Sequence, residues 1–184
     1  MNTLVRAPRP DRQGFESELC RRANYWGARQ GIGSLFRVVS KLGDGWFWYA
    51  LMALFAGLGG DRGRHAAAQM LATGWIAWLL YKILKRCTRR PRPFHANTEV
   101  VAHVPPLDEY SFPSGHTMHA VGFSVVAIAW FPQLAIPLIA SSVLVALSRV
   151  VLGLHYPSDV LAGIAIGAVL GAGSLAAQSV WFPT

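Results

Sequence analysis

Long stretches without charged side chains constrain this chain more than any other feature of its sequence. Between Tyr110 and Thr184 only Arg149 and Asp159 are formally charged. Over the whole chain hydrophobic residues make up 53% and charged residues 14%, whereas about a quarter of the residues in a soluble domain are charged. This composition favours a protein embedded in lipid.

Five apolar runs are candidate membrane-spanning helices. A helix needs about 20 apolar residues to cross a hydrocarbon core, although thin or distorted bilayers accept fewer. The alternative is a soluble helical bundle with an apolar core, but continuous apolar sequence rather than a 3.6-residue period dominates the runs. We therefore predict an all-α integral membrane bundle of about five transmembrane helices. The runs are residues 45–60, 66–81, 117–131, 133–147 and 160–180.

The N-terminal part of the chain is polar and rich in arginine. We predict a poorly ordered segment at residues 1–22, followed by a single membrane domain at residues 23–184. The first thirty residues contain six arginines and no apolar stretch of the kind found in a cleaved signal peptide. Cys20 and Cys87 are far apart in sequence, so neither a disulfide framework nor a zinc site is indicated.

Residues 25–42 have the pattern of an amphipathic helix. Apolar side chains such as Leu35, Val39 and Leu42 lie on one side of a helical wheel, and cations including Arg37 and Lys41 lie on the other. This pattern is typical of a helix at the membrane interface. A solvated helix packed on the bundle is the alternative, because a wheel does not identify the apolar partner.

The connection between the second and third apolar runs is the longest in the chain. It contains five prolines between Pro91 and Pro113, so it cannot form one continuous helix. Long connections without regular structure are usually functional. The last apolar run carries Gly163, Gly167 and Gly171 at four-residue intervals, which predicts a close approach by another helix.

Three polar clusters lie at the ends of apolar runs. One, residues 85–93, follows the second run; another, residues 113–116, begins the third run; the last, residues 148–159, joins the fourth run to the fifth. In a bundle whose helices alternate in direction, these ends lie on the same side of the membrane. We therefore expect the three clusters to meet at one face.

The residue types in these clusters suit a phosphate group. Lys85, Arg92 and Arg149 provide positive charge, and guanidinium groups bind phosphate oxygens in bidentate geometry. Ser114 and Gly115 come immediately before a helix, where free backbone N–H groups bind anions. The face is thus predicted to bind phosphate.

Histidines accompany the cations and could act on that phosphate. His155 could attack phosphorus through one ring nitrogen, while Asp159, four residues later, accepts the N–H of the other nitrogen. His116 could protonate the leaving alkoxide. Arg86, Arg89 and Arg90 are interpreted as contacts to lipid head groups. His95, His103 and His119 are interpreted as loop or packing residues.

The clusters together resemble the three-part signature of the type 2 phosphatidic acid phosphatase (PAP2) superfamily. Lys85 is followed by six residues and Arg92-Pro93, and Pro113-Ser114-Gly115-His116 comes next. Ser148-Arg149 is then followed by five residues, His155, three residues and Asp159. Every motif position is filled, over about two fifths of the chain.

The resemblance implies a membrane lipid phosphatase that forms a phosphohistidine intermediate without a metal or other cofactor. His155 would be the nucleophile, Asp159 its orienting partner and His116 the general acid. The remaining signature residues would bind the phosphate oxygens: Lys85, Arg92, Ser114, Gly115 and Arg149. Membrane members of the family usually have six spanning helices, and here residues 25–42 take the place of the first.

The expected substrate is a lipid phosphate or diphosphate, such as phosphatidic acid, phosphatidylglycerophosphate or undecaprenyl diphosphate. Membrane lipids are the other expected partners, and no nucleic acid is expected. Metal catalysis is disfavoured because recognisable ligand spacing, such as HExxH, is absent. Two alternatives use the same clusters: a phosphotransferase that passes the phosphoryl group to an acceptor, and a catalytically silent module that binds phospholipid head groups.

The expected location is a multi-pass position in a cell membrane, with a bacterial inner membrane implied by the resemblance. Cations crowd the N-terminal segment and the connection that includes Arg92, and the positive-inside rule favours the cytoplasm for that side. Resemblance to bacterial members instead favours a periplasmic active site, since a phosphate would account for Lys85 and Arg92.

Overall fold

Eight α-helices make up most of residues 12–181, the part of the chain that the computed structural model describes. No β-strand occurs in that part, which confirms the predicted all-α fold. A 3-10 helix, Pro132–Leu134, joins α6 to α7. The helices are α1 (Arg12–Gly27), α2 (Gln30–Gly43), α3 (Trp46–Leu58), α4 (Gly60–Thr88), α5 (Pro93–Ala96), α6 (Gly115–Trp130), α7 (Ala135–Val151) and α8 (Pro157–Trp181).

Three stretches of the described chain are long and apolar enough to cross a membrane. They are Gly60–Ala96, Pro132–Val151 and Pro157–Gln178. The outer surface of the bundle is apolar as well, as the high exposure of Ile136 and Val169 illustrates. The protein is therefore a membrane protein. Five crossings remain a prediction, because α3 is apolar but has only 13 residues and α6 has 16.

Helix α6 lies at the centre of the bundle and packs against α4, α7 and α8. It contributes Ala120, Phe123 and Val126 to the main apolar core, in which Phe123 lies against Trp48 of α3. This central position fixes the start of α6, where one of the predicted polar clusters lies, relative to the other three helices. Other buried members of the core come from α3 (Met52, Phe55), α4 (Ala66, Ala67, Met70), α6 (Ala127) and α7 (Leu138, Val145).

Glycines allow α8 to lie directly on α6, as their spacing predicted. A Cβ atom added to Gly163 would lie 2.7 Å from the carbonyl oxygen of Ser114, and one added to Gly167 would lie 2.4 Å from that of Met118. Since neither approach is sterically possible for a larger residue, the two backbones touch only because side chains are missing. At the end of this contact the Ser114 N–H donates to the carbonyl of Asp159 at 3.0 Å.

The N-terminal region differs from the expectation of a poorly ordered segment. Helix α1 includes residues 12–22 and crosses the predicted boundary at residue 22, while residues 1–11 lie outside the described part. Cys20 is fully buried. Asn24 exchanges two hydrogen bonds with the backbone of Val101, at 2.8 and 2.9 Å. Buried contacts of this kind hold α1 on the bundle, and the polar composition did not reveal them.

Helix α2 combines features of both interpretations of residues 25–42. Its small residues Gly33 and Ser40 are buried, and the helix packs along α7. Leu35, Val38 and Leu42 form an exposed apolar strip that faces away from the bundle. The helix is thus packed on the bundle, and its outer strip suits the interfacial position that the sequence predicts.

The contact between α6 and α8 yields a stability prediction. Gly167→Ala should destabilise the protein by about 1–3 kcal/mol, the usual cost of forcing extra atoms into a packed contact. Gly173→Ala is the matched control on the same helix, because nothing lies within 4 Å of its added Cβ. Thermal unfolding in detergent measures both. An unchanged midpoint for Gly167→Ala would contradict the close contact.

Candidate active site

One cavity of about 220 Å³ forms where the end of α4, the start of α6, the end of α7 and the loop before α8 meet. The structure thus brings the three polar clusters together at one end of the bundle. Of the eight predicted site residues, Ser114 and Asp159 lie behind the cavity wall. The other six line the cavity: Lys85, Arg92, Gly115, His116, Arg149 and His155.

Lys85 and Arg92 are both buried and share one carboxylate oxygen. Lys85 Nζ lies 2.6 Å from Oδ1 of Asp108, and Arg92 Nη2 lies 2.7 Å from the same atom. Arg92 also donates to the carbonyls of Asp108 and Leu154, at 3.0 and 2.8 Å. Burial opposes ionisation of Asp108, but Lys85 and Arg92 outweigh it and hold the pKa of that carboxyl below its usual value.

Arg149 is buried at the end of α7 with little compensation for its charge. Its Nη1 donates to Oγ of Ser40 on α2 at 2.6 Å, and its Nε has no hydrogen-bond partner. No carboxylate of the described residues lies within 4.0 Å of the guanidinium. A buried cation beside a cavity without a paired anion is costly, so this position favours an anionic ligand.

His155 lies in the loop between α7 and α8 with a defined tautomer. Its Nδ1 lies 2.6 Å from the carbonyl oxygen of Ser111. Because a carbonyl only accepts, Nδ1 carries the proton and Nε2 carries a lone pair. Burial, with the charges of Arg149, Arg92 and Lys85, holds the pKa of His155 well below its usual value. The ring is therefore neutral at pH 7, and its Nε2 lies 3.5 Å from Nη1 of Arg92.

Asp159 is fully buried at the start of α8 and is held by groups other than the His155 ring. Its Oδ2 accepts the backbone N–H of Tyr156 at 2.8 Å and lies 3.7 Å from Nδ1 of His155. Its Oδ1 accepts from Arg90 at 2.7 Å. The orienting role that the sequence assigned to Asp159 stays a prediction, while the carbonyl of Ser111 makes the hydrogen bond to Nδ1.

The interpretation of Arg90 as a head-group contact is wrong. Besides Asp159, its guanidinium contacts Oε2 of Glu16 on α1 at 2.6 Å and Oγ of Ser158 at 2.7 Å. The group also lies over the ring of Tyr156, 4.2 Å from its centroid. Arg90 is directed inward because the buried carboxylate of Asp159 requires a positive partner.

Ser114 is the N-cap residue of α6 and is not among the residues that line the cavity. It is fully buried, and its Oγ is paired with Oγ1 of Thr117 at 3.0 Å. Gly115 follows it and lines the cavity. The backbone N–H groups of this first helical turn have no acceptor within the helix, so α6 presents the donor end that an anion requires.

His116 contacts a residue that the sequence analysis did not select. Its Nε2 lies 2.5 Å from Oδ1 of Asp44, in the turn between α2 and α3. One helical turn later, His119 lines the cavity. Both nitrogens of His119 face backbone carbonyls, those of Gly115 and Gly74, which agrees with its interpretation as a packing residue.

Several residues of the site were missed because they lie outside the signature. Their contacts join parts of the chain that are distant in sequence, and no periodicity reports such contacts. A weak signal existed for Asp44, which is the only acidic residue between Glu18 and Asp61 and has glycine on both sides. The missed residues are Ser40, Asp44, Arg90, Asp108 and Ser111.

Comparison with known proteins shows the family to which the chain belongs. The family model described as the PAP2 superfamily matches residues 63–182. The chain belongs to the PAP2 superfamily. It is 35% identical over 147 residues to the decaprenylphosphoryl-5-phosphoribose phosphatase of Mycobacterium tuberculosis, covering 78% of this chain and 79% of that protein. It is 32% identical over 156 residues to the lipid A 1-phosphatase of Rhizobium johnstonii, covering 74% of this chain and 64% of that protein.

Two solved membrane phosphatases share the fold. The PAP2-type phosphatidylglycerolphosphate phosphatase of Bacillus subtilis superposes with a TM-score of 0.76 at 26% identity, covering 91% of this chain and 86% of the other. Aquifex aeolicus LpxE gives 0.74 at 26% identity, covering 86% and 93%. These similarities place the chain in the membrane lipid phosphatase branch of the PAP2 superfamily.

Proposed function

We propose that this PAP2 protein hydrolyses a lipid phosphate or lipid diphosphate through a phosphohistidine intermediate. The observation that carries the proposal is the neutral Nε2 of His155 in a cavity also lined by Lys85, Arg92 and Arg149. A ring nitrogen with a lone pair thus lies among three cations that suit a phosphate. The named relatives, all phosphatases of lipid-linked substrates, support the same reaction class.

Phosphate binding would draw on the cations that line the cavity. Arg149 offers its Nε, which has no partner, and Arg92 offers a guanidinium group beside His155. The first-turn N–H groups at Gly115 would add neutral donors. Ser114 would act through its cap position rather than through its hydroxyl, which is paired with Thr117.

The reaction would proceed in two steps. Nε2 of His155 attacks phosphorus, a P–N bond forms, and the P–O bond to the leaving group breaks, while His116 gives that oxygen a proton. Water then attacks the phosphohistidine, the P–N bond breaks, and His116 takes a proton from the water. The positive charges around the cavity stabilise the charge that develops on the phosphoryl oxygens.

The cavity suits catalysis without a metal ion. The role of balancing phosphate charge, which a divalent cation often fills, would fall to Lys85, Arg92 and Arg149. Within the described residues no group of three or more His, Cys, Asp and Glu side chains is arranged to hold a metal ion. The only carboxylates lining the cavity are Asp44 and Asp108 among the described residues, and each already binds a histidine or a cation.

His155→Ala tests the proposed nucleophile. We expect phosphate release from a lipid phosphate to fall by about three orders of magnitude or more, since the covalent step loses its attacking atom. His95→Ala is the matched control, because His95 is an exposed histidine outside the cavity. Phosphate release in detergent micelles measures both variants, and thermal unfolding verifies that each is folded.

Inhibitors, and trapping of the phosphorylated protein by acid quenching, test the same nucleophile independently. Vanadate should inhibit the wild type, EDTA should not, and labelled phosphate should remain on the wild-type protein but not on His155→Ala. Activity that survives in His155→Ala would exclude the phosphohistidine mechanism. A wild type that binds lipid phosphate without releasing phosphate in a single turnover would support the silent binding module instead.

Asp108 occupies the donors that a phosphate would use, so we expect it to compete with ligands. Asp108→Asn should lower the inhibition constant of inorganic phosphate about tenfold, the ratio that corresponds to ~1.4 kcal/mol of lost competition. Glu109→Gln removes the same charge from the neighbouring exposed residue and should have little effect. Inhibition of lipid phosphate hydrolysis measures both constants. Weaker phosphate binding in Asp108→Asn would show that Asp108 instead holds the two cations in place.

We place the active site at the periplasmic face of a bacterial inner membrane. Helix α8 begins at the cavity and runs to the opposite end of the bundle, so a periplasmic site requires a cytoplasmic C-terminus. A green fluorescent protein fused at the C-terminus should fluoresce, and an alkaline phosphatase fused there should be inactive. The reverse pair of results would put the site in the cytoplasm, as the positive-inside rule favours.

A further inference from the structure

The turn between α2 and α3 is shaped to hold a carboxylate against the first turn of α6. A Cβ added to Gly43 would lie 3.1 Å from Val145 and 3.9 Å from Cδ2 of His116, so a small residue is needed at this approach. Gly45 adopts a φ of 122°, which side chains of L-residues rarely adopt. Asp44 lies between these two glycines, and its side chain lines the cavity.

Asp44 makes its side-chain contact with His116 rather than with its own helix. The backbone N–H of Asp44 closes α2 by donating to the carbonyl of Lys41, while its Oδ1 lies 2.5 Å from Nε2 of His116. Within the described residues its carboxylate has no other hydrogen-bonding or ion-pair partner. Because a carboxylate only accepts, Nε2 of His116 carries a proton in this arrangement.

Opposing charges act on the His116 ring from the surrounding helices. Arg149 of α7 lines the same cavity, and His119 lies one turn further along α6. Lys85, Arg92 and His155 line the cavity as well. All of these groups are neutral or positive and disfavour a second positive charge nearby. Burial and the charge of Arg149 lower the pKa of His116 to about 4, and the carboxylate of Asp44, in direct contact with the ring, acts against both by favouring the imidazolium form.

We propose that Asp44 is a positioning residue that accepts the Nε2–H of His116 and stabilises the protonated ring, whose other nitrogen, Nδ1, gives its proton to the leaving group. This inference rests on the proposed function, since it assigns His116 as the general acid. When the P–O bond breaks, the leaving oxygen takes the proton from Nδ1 of His116, and Nε2 keeps its hydrogen bond to Asp44. Water returns a proton to Nδ1 in the second step.

The leaving group distinguishes this role from a structural one. An alkoxide is a strong base and must be protonated as it leaves, whereas p-nitrophenolate is stable as an anion at neutral pH. A defect in proton donation therefore slows the release of an alcohol and leaves that of p-nitrophenol nearly unchanged. A defect in folding or phosphate binding affects both substrates alike.

The experiment compares n-decyl phosphate with p-nitrophenyl phosphate in the full-length protein. Asp44→Asn should lower kcat for decyl phosphate about tenfold to a hundredfold with KM changed less than about threefold, and should lower kcat for p-nitrophenyl phosphate by less than about threefold. Asp44→Glu, which keeps the carboxylate, should recover part of the loss. Asp61→Asn is the matched control, because Asp61 is exposed on α4 and is paired with Arg64.

Each other outcome has a defined meaning. Equal losses of kcat on both substrates, or no loss on either, would overturn the role of Asp44 while leaving the phosphatase intact. A wild type that releases phosphate from neither substrate, or His155→Ala that keeps full activity, would overturn the proposed function and this inference with it. A rise in KM without a change in kcat would assign Asp44 to substrate binding and also overturn the inference.

Discussion

Three cations buried around one cavity are the constraint on which the rest of this structure depends. Lys85, Arg92 and Arg149 are each no more than 4% exposed, and like charges in so small a space repel one another strongly unless anions or dipoles surround them. The chain supplies these partners mainly from its longest loop. The carbonyls of Asp108 and Tyr110, with the carboxylate of Asp108, lie against Arg92 and Lys85. The loop thus provides most of the oxygen atoms that surround Lys85 and Arg92.

The same site depends on a close helix contact that contains no charge at all. Gly163 and Gly167 let α8 reach the backbone of α6, and the hydrogen bond from Ser114 to the carbonyl of Asp159 joins the two helix starts. Direct backbone contact therefore fixes the position of residues 113–116 relative to residues 148–159. Such a contact leaves no room for a larger side chain at the glycines. Since a displacement of about 1 Å in a catalytic group can cost a hundredfold in rate, the glycines of α8 would matter for the proposed reaction as well as for packing.

The sequence predicted those parts of the molecule that follow from local pattern. Apolar runs indicated the helical bundle, alternation of helix direction brought Lys85, His116 and His155 to one end, and four-residue spacing indicated the glycine contact. The contacts that the sequence did not predict join irregular segments over long separations, such as Asp44 with His116 and Ser111 with His155. Arg90 was interpreted as a contact to lipid head groups, but a buried carboxylate 69 positions away directs it inward.

Contacts of helix α1 show that the residues supporting the site extend beyond the segment that carries the signature. Glu16 contacts the guanidinium of Arg90, and Sγ of Cys20 lies 3.7 Å from the carbonyl oxygen of His155. On the next helix, Ser40 is the hydrogen-bond partner of Arg149. All three precede residue 63, where the match to the family model begins. The first two helices thus support residues at and behind the cavity, so a fragment limited to the matched region would contain every signature residue and still lack these supporting contacts.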